Sequence, residues 1–425
     1  MKMVFFIPLS GGTFIFPSIM AIHRPPPAPT RSRPNPVIAP PRPRRRRHRL
    51  RRLLAGALTL FLVVAGISFV SSVYGQPGSL GARAAEWVRD HGGAQVVATA
   101  ENFWYSHHQP PVGGRPKAGL IPKASSPAAP APSAKAPAHL AEPAPIAPIA
   151  SPPLPGEGLW HPAGRVVQGV PTMYEAFLRP DPVHTSLVAG VTWMDTKLLR
   201  ASLYSGSYIP GGGPWALSAP IGAQAATTVT AAFNSGFRLR DAQGGYYTQG
   251  QLVAPMRNGA ASAVIYRDGT ITVGQWGRDV SMTPNVVAVR QNLRLIVDGG
   301  APVAGLSYSG AWGGTIGNQI YVWRSGLGVT ANGALIYVGG PGLDVPSLAG
   351  LLVRAGAVRA MELDINTDWV NFTAYTPSSP EAAATPNNGT ELLSSMSGGT
   401  GRYFLPYWNR DFFTMSVATP TTRAS

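Results

Sequence analysis

The sequence predicts an α+β protein, in which a β-rich mixed domain with few helices is preceded by one transmembrane helix and a Pro/Ala-rich linker. Three observations lead to this prediction. Residues 53–74 carry no charge over 22 positions, and about 20 apolar residues cross a bilayer as a helix. Residues 110–155 are rich in proline and alanine. Beyond them, short alternating runs are separated by Asp-Gly and Asn-Gly pairs, which is typical of β-strands joined by tight turns.

The formal charge of +16 is concentrated at the N-terminus. Residues 1–52 hold one lysine, eleven arginines and no acid, which leaves only +4 for the other 373 residues. Proline density and like-charge repulsion predict a disordered cytoplasmic arm. Since the rest of the chain is not basic, nucleic-acid binding is excluded, and anionic lipid is the simpler partner of the arm. Within it, the uncharged residues 3–22 are either a second membrane segment or the result of a start site placed too far upstream.

The arginines directly before residues 53–74 also predict the orientation of the membrane helix. Positive charge stays on the cytoplasmic side, so the N-terminus is expected inside and everything after residue 74 outside. A cleaved signal peptide has a similar plan and is the alternative. The long apolar run and the poor cleavage site in its SSVYG flank favour an uncleaved anchor. The expected localisation is therefore the cell membrane, single-pass, with an extracellular folded domain.

Four further segments follow the membrane helix. Residues 75–109 form a juxtamembrane segment with a short amphipathic helix around AAEWVRDH. Residues 110–155 are predicted to be an extended, semi-stiff spacer, which at up to ~3.1 Å per residue reaches on the order of 100 Å. Residues 156–417 are the folded domain, and residues 418–425 are a tail.

Turn and cap residues place several elements in this domain. Asp268-Gly269 and Asn332-Gly333 predict two hairpins. Residues 286–300 predict another pair of strands, closed by Asp298-Gly299-Gly300. The best helix covers residues 345–355, with proline in its first turn and Gly356 as its stop. This helix leads into the most acidic stretch of the domain.

That stretch is residues 358–372, VRAMELDINTDWVNF, which places Glu362, Asp364 and Asp368 within seven positions. If residues 358–365 form a strand, Glu362 and Asp364 share one face. Their Cα atoms then lie roughly 7 Å apart, at about 3.3 Å per residue. Pairs of carboxylates near this separation cleave glycosides, so the spacing permits such chemistry.

Four segments together resemble the phosphodiester glycosidase family, in which bacterial envelope proteins share the catalytic domain of the lysosomal uncovering enzyme. They occur in the family's order and are, with their sequences, TAAFNSGFR (230–238), DGG (298–300), WRSGLGVTANG (323–333) and AGAVRAMELDIN (355–366). The family pattern is Asn-Gly-Gly-Phe after a strand, an Arg-Thr-x-x-Gly turn, and a helix leading to Leu-Asp-Gly-Gly-Gly-Ser. The resemblance covers most of residues 156–417. It implies a membrane-anchored bacterial hydrolase that cleaves sugar-1-phosphodiesters in the cell envelope.

The resemblance also implies a set of site residues. The catalytic carboxylate near the anomeric carbon is Asp364, with Glu362 supporting or protonating. The substrate-binding candidates for phosphate or sugar oxygens are Asn234, Arg238 and Arg324. Asn366 and Asp368 are further candidates by hypothesis, as polar ligands in place of the glycine loop that the family has after its aspartate. Plainer interpretations stay open: Glu362 facing water, Asn234 serving turn geometry, and the domain aromatics packing in the core rather than stacking on sugar.

The chain departs from the family pattern at two places. Ser235 replaces the first glycine of one motif, and Ile365-Asn366 replace the glycine-serine tail after Asp364. A non-catalytic envelope module that retains the fold and binds glycopolymer is therefore the alternative. The expected partners are an envelope glycan or glycosyl phosphate and the membrane. The chain has no cysteine, which excludes thiolate nucleophiles and sulfur-ligated zinc. No metal site is predicted, and a divalent cation is compatible with the sequence without being indicated by it.

Overall fold

The computed structural model describes residues 45–73, 80–123, 137–306, 312, 321–406 and 410–418. Most of the predicted cytoplasmic arm, residues 124–136 of the predicted linker and most of the predicted tail lie outside this part of the chain. The chain divides into two compact units, Met1–Leu62 and Val63–Ser425. Helix α1 (Arg45–Val73) contains the apolar stretch Arg51–Ser72, whose mean hydropathy is 2.5. Among the described residues, one helix near the N-terminus is therefore long and apolar enough to span a membrane.

The second unit is β-rich, as predicted. Its strands in chain order are β1 (His161–Val167), β2 (Val170–Leu178), β3 (Ala189–Met194), β4 (Leu199–Tyr204), β5 (Val229–Asn234), β6 (Tyr246–Thr248), β7 (Gln251–Ala254), β8 (Ala261–Tyr266), β9 (Ile271–Gln275), β10 (Val286–Gln291), β11 (Leu295–Asp298), β12 (Ala301–Pro302), β13 (Val322–Thr330), β14 (Leu335–Leu343), β15 (Ala357–Glu362), β16 (Phe372–Tyr375), β17 (Gly389–Glu391) and β18 (Phe412–Val417).

These strands form three sheets among the described residues. The largest has the order β1-β2-β3-β14-β13-β15-β11-β12, and the two five-stranded sheets have the orders β7-β6-β10-β8-β9 and β17-β16-β5-β18-β4. Neighbouring strands in all three sheets are antiparallel. Strand β15 lies inside the largest sheet between β13 and β11, so the acidic stretch leaves from a central position. Strand β5 is likewise central in its sheet.

Few helices accompany the sheets. Helices α2 (Leu80–Val88) and α3 (Ala94–His107) flank a π-helical turn, α4 (Ala223–Ala226) and α5 (Leu239–Ala242) are single turns, and α6 is Val345–Arg354. The prediction of α6 is confirmed. Asp344 caps its start by accepting a hydrogen bond from the Ser347 N–H, and Gly356 follows its end with a φ of +95°.

Helix α6 packs on the largest sheet beside the site. Leu348, Leu351 and Leu352 are fully buried, and each buried leucine contributes roughly 1.5–3 kcal/mol. A Cβ at Gly326 of β13 would lie only 2.9 Å from the Leu352 side chain. Glycine is therefore required where the helix approaches β13, which gives the RSGLG motif a structural reason.

The two short hairpins are confirmed, but the third strand pair differs from its prediction. Strands β8 and β9 join through Gly269, and β13 and β14 through Gly333, both with positive φ. Residues 286–300 do contain two strands, but β10 pairs with β8 and β6, whereas β11 pairs with β15 and β12. Asn292 lies between them, and its amide donates to the Glu362 and Leu363 carbonyls. The Asn292 side chain thus holds the backbone at the point where the chain passes from the sheet of β10 to the sheet of β11.

The predicted spacer also differs from its expectation over residues 137–155. Leu140 and Ile146 are buried, and the Leu140 N–H donates to Asp195 at 2.7 Å. Arg179 donates to the carbonyls of Ala150 and Pro152. An extended proline-rich backbone has no internal hydrogen bonds, so its carbonyls are available to such donors. This half of the tract lies against the domain.

Candidate functional site

Asp364 lies in the first turn after β15, which ends at Glu362. The ladder with β13 continues briefly past the strand, because the Leu363 N–H donates to the Ser325 carbonyl and the Ser325 N–H to the Asp364 carbonyl. The Asp364 carboxylate then accepts from the N–H groups of Ile365 at 2.7 Å and Asn366 at 3.1 Å. This local turn fixes the direction of the carboxylate.

The Asp364 carboxyl is 4% exposed, and burial raises its pKa to about 6. Burial raises the pKa because the charged form loses its water. The Arg410 guanidinium, 3.8 Å from the carboxylate, and the two backbone N–H groups oppose this effect. Asp364 is therefore an acid that changes charge close to neutral pH, which is a property of many catalytic carboxylates.

A small cavity lies at this carboxylate. It is lined by Asn234, Gly236, Asp364, Trp369, Tyr403, Arg410 and Asp411. Its volume is about 10 Å³, which holds roughly one water molecule. The side chains that meet here include an acid, a cation and two aromatic rings, but the described conformation has no space for a sugar.

Arg410 supplies the positive charge of the cavity. Its guanidinium carbon lies 4.0 Å from the centre of the Trp369 ring, a cation–π contact. Its other edge donates to Glu86 at 2.6 Å. Arg410 is thus held between an aromatic face and two carboxylates, Asp364 and Glu86.

Asn234, at the end of β5, also lines the cavity, as the resemblance implied. Its amide donates to the Ser325 hydroxyl at 3.0 Å and accepts from the Tyr337 hydroxyl and the Asn371 N–H. These bonds join three elements around the carboxylate. Asn234 therefore orders the walls of the site, with its amide turned toward the protein.

Glu362 and Arg324 form a separate buried pair. Their side chains are fully buried, with 2.6 Å between the guanidinium and the carboxylate, and Arg324 also donates to the Leu343 carbonyl. Neither residue lines the cavity at Asp364. Glu362, the predicted proton donor, therefore pairs with Arg324, a predicted phosphate ligand. The two residues are diagonal neighbours on adjacent strands, where opposite charges can come into contact.

The remaining predicted site residues surround the cavity without lining it. Asn366 accepts the Asp368 N–H at 2.9 Å and shapes the turn. Asp368 accepts from the Ser397 hydroxyl, and its backbone carbonyl accepts from Arg402. Arg238, at the start of α5, pairs with Asp241 at 2.7 Å and with Asp90 at 3.3 Å.

The juxtamembrane segment lies over the site. Its helical part, residues 80–107, comprises α2, the π-helical turn and α3. Glu86 of α2 binds Arg410. Asp90 in the turn binds Arg238 and Arg240 and accepts from the Tyr208 hydroxyl at 3.0 Å. The two acids thus pair with three arginines, of which Arg410 lines the cavity. The charge of Glu86 also contributes to the raised pKa of Asp364.

Sequence reasoning missed Arg410 and Asp411. Asp411 forms a buried ion pair with Arg290 at 2.7 Å and accepts the Ser235 hydroxyl at its backbone carbonyl. No motif marks this dipeptide. The only available signal is an adjacent Arg-Asp pair between aromatic residues in a domain with few acids. Within the described part of the chain, no three His, Asp or Glu side chains gather in a way that could hold a metal ion.

Comparison with known proteins gives distant structural likenesses. No family model and no curated protein matches the sequence. The catalytic domain of zebrafish N-acetylglucosamine-1-phosphodiester alpha-N-acetylglucosaminidase, auto-inhibited by its pro-peptide, matches with 13% identity and a TM-score of 0.38, over 60% of this chain and 87% of that one. A hypothetical Synechocystis protein (12%, TM-score 0.30) matches over 55% of this chain and 59% of its own. A putative exported protein of Burkholderia pseudomallei (12%, TM-score 0.29) matches over 55% and 75%.

Proposed function

We propose that this chain is a membrane-anchored hydrolase that cleaves a sugar-1-phosphodiester in the cell envelope, with its folded domain outside the cell. The observation that carries this proposal is the pair of Asp364 and Arg410 at one cavity. A glycosyl phosphodiester needs a carboxylate at the anomeric carbon and a cation at the phosphate. The two groups are 3.8 Å apart and Arg410 lies on the Trp369 face.

Ionised Asp364 stabilises the positive charge that develops at the anomeric carbon as its bond to the phosphate oxygen breaks. Water forms the new bond to that carbon and loses a proton to solvent, so the products are the free sugar and a phosphate monoester. Arg410 takes the negative charge of the departing phosphate through parallel N–H donors. That leaving group is only weakly basic, since the second pKa of a phosphate monoester is about 6. A strong proton donor is therefore not required, which is compatible with Glu362 being held by Arg324.

The test is hydrolysis by the purified full chain in detergent micelles. A panel of sugar-1-phosphodiesters differing in the sugar is supplied, and release of reducing sugar is measured. We expect turnover of at least one member, a rate that rises with pH through about 6 as Asp364 ionises, and a loss of at least about 10²-fold in Asp364→Asn. Full rate in that variant rules out the assigned role. No turnover of any member, by either wild type or the double variant Glu86→Gln/Asp90→Asn, rules out the activity.

A specific observation favours the second candidate, a glycopolymer-binding module without turnover. The cavity at Asp364 holds about one water, and Ile365 and Asn366 stand where the related pattern has glycines. Binding of an envelope glycopolymer to the purified chain, with no reducing sugar released over a day, identifies this function.

The proposed membrane orientation has its own test, because the chain contains no cysteine. Single cysteines are introduced in the arm by Ser32→Cys and in the domain by Ser379→Cys. In intact cells, a membrane-impermeant maleimide should label only the second. Equal labelling of the first cysteine before permeabilisation contradicts a cytoplasmic N-terminus.

A further inference from the structure

A second cavity, of about 560 Å³, adjoins the region of Asp364. It is bounded by the end of α5, the turn before β8, the end of β9 and the connection from β10 to β11. Asn292 in that connection lines it. A Cβ at Gly236, which lines the cavity at Asp364, would approach the Asn292 amide to 3.0 Å. Asn292 thus touches the walls of both cavities.

The lining of this second cavity is polar and positively charged. Its lining residues include four with amide side chains, Gln243, Asn258, Gln275 and Asn292, and two arginines, Arg257 and Arg294. Its acid, Asp298, is already bound by Arg278 at 2.7 Å. A side-chain amide can both donate a hydrogen bond to a hydroxyl group and accept one from it, and a guanidinium group binds phosphate or carboxylate.

A buried side chain holds the wall at Arg257 in place. Gln291 is fully buried, accepts the Arg257 N–H at 2.8 Å and donates to the Arg257 carbonyl at 3.2 Å. The Arg257 guanidinium in turn donates to Gln243. This part of the wall is therefore ordered before any ligand arrives.

One charged group at the cavity has capacity to spare. Arg294 is exposed and makes no side-chain hydrogen bond or ion pair within the described ranges. Asn292 has a different part, because its amide nitrogen donates to the carbonyls of Glu362 and Leu363 at 2.6 and 2.8 Å and so holds the wall in place. A cation is thus left for a ligand.

We propose that this cavity is a subsite for a phosphorylated sugar unit, separate from the carboxylate at Asp364. Its volume falls in the range of about 300–1,000 Å³ that small-ligand sites occupy. Arg294 binds the phosphate, and the amides bind hydroxyl groups. The inference rests on the proposed function and narrows its substrate class to glycans that carry a second anionic sugar beside the scissile bond. Asn292 links the two places, since it holds the backbone that presents Asp364.

The test is calorimetric titration of the full chain in micelles with glucose 6-phosphate, which lacks the 1-phosphate that the Asp364 site is proposed to bind, and in parallel with glucose and with inorganic phosphate. We expect saturable binding of the sugar phosphate, at least about tenfold tighter than of either probe alone, because both kinds of lining group then contribute. Arg294→Gln should weaken binding about tenfold. Ala304→Trp, which fills the cavity from an exposed lining position, should do the same without a change of charge.

The matched control is Arg354→Gln, which removes an exposed arginine outside the cavity lining and should leave the affinity unchanged. Wild-type affinity in both cavity variants, or equal binding of inorganic phosphate, would overturn the subsite. If binding depends on Arg294 but the chain hydrolyses no member of the panel, the subsite is supported and the hydrolase is refuted. If the chain hydrolyses a member of the panel but shows no such binding, the hydrolase is supported and the subsite is refuted.

Discussion

Asp364 should make the stability of the protein depend on pH. Its pKa is about 6 in the folded chain, above the ordinary value of 3.8, so the folded state holds the proton more tightly than the unfolded state does. The stability from this proton is complete below the ordinary pKa and is lost as pH rises through about 6. Asp364→Asn removes the cost of the buried charge. We expect the variant to be more stable than wild type at pH 8, by up to about 3 kcal/mol.

Thermal unfolding of the two proteins at pH 5 and pH 8 measures this effect. The difference in Tm between variant and wild type should be larger at pH 8. The same difference at both values would mean that the carboxyl does not titrate between them. Asp268→Asn is a suitable control, because its carboxylate is hydrogen-bonded to Thr270 and its pKa is lowered rather than raised.

The Glu362–Arg324 pair should behave as a structural unit. Glu362→Gln leaves the Arg324 guanidinium buried without its counter-charge, which costs on the order of 3–5 kcal/mol. We expect a clear fall in Tm for this variant, whether or not substrate is present. The double variant Glu362→Leu/Arg324→Met removes both charges and should recover most of the loss. Single variants as stable as wild type, with activity abolished, would instead favour the catalytic role that the resemblance implied for Glu362.

At the scale of single residues, part of the candidate site was within reach of the sequence. Asp364 and Asn234 were predicted, and the structure brings them to one cavity. Whether they act on a substrate stays a prediction. Arg410 and Asp411 were out of reach, since they come from a distant loop and pair through contacts that no spacing encodes. The pairing of Glu362 with Arg324 was also out of reach, because alternation along a strand gives the face of a side chain, but not its partner across the sheet. Its catalytic role stays a prediction.

At the scale of elements, the juxtamembrane segment lies over Asp364. Glu86 and Asp90 bind Arg410 and Arg238, and the cavity beneath them holds about one water. The proposed hydrolysis therefore requires this segment to move or to exchange its carboxylates for phosphate. These pairs are largely buried, since the Arg410 and Arg238 side chains are only 9% and 7% exposed. Removing the acid without replacing it would leave a buried cation unpaired, so the exchange requires the incoming phosphate to take the place of the carboxylate.

Removing the two acids should raise the activity of the proposed hydrolase. In Glu86→Gln/Asp90→Asn, the arginines lose competing carboxylates, and we expect several-fold lower KM for a sugar-1-phosphodiester. The matched control is Glu101→Gln, which removes an acid of the same segment that pairs with Arg89 instead of the domain. An unchanged KM in the double variant, or an equal change in the control, would show that these contacts do not restrict access.

Elements with local signals were predicted well, and pairings between distant strands were not. Helix α6 has a cap, an apolar face and a stop within a dozen residues, and two hairpins carry their turns in the sequence. Strands β10 and β11 are adjacent in sequence but belong to different sheets. That choice depends on Asn292 reaching the end of β15, a contact between residues far apart in the chain. Periodicity carries no information about such contacts.

At the scale of the whole molecule, proline content predicted a spacer along residues 110–155, whereas the structure places residues 137–155 against the domain. Composition indicates an extended backbone, and the described residues are indeed without helix or strand there. It does not indicate whether an extended backbone finds a surface. Leu140, Ile146 and Ala150 recur among the prolines and are the residues that become buried.

This docked tract should contribute to the stability of the domain. Ile146→Asp places a charge where the side chain is 3% exposed, which costs at least the roughly 1.5–3 kcal/mol of the lost burial. We expect Tm to fall by about 5–10 °C, since 1 kcal/mol shifts a domain of this size by about 2–4 °C. The neighbouring Ala147→Asp, at an exposed position, should leave Tm within about 1 °C. Equal Tm values for both variants would mean that the tract separates from the domain in solution and acts as the free spacer that its composition predicted.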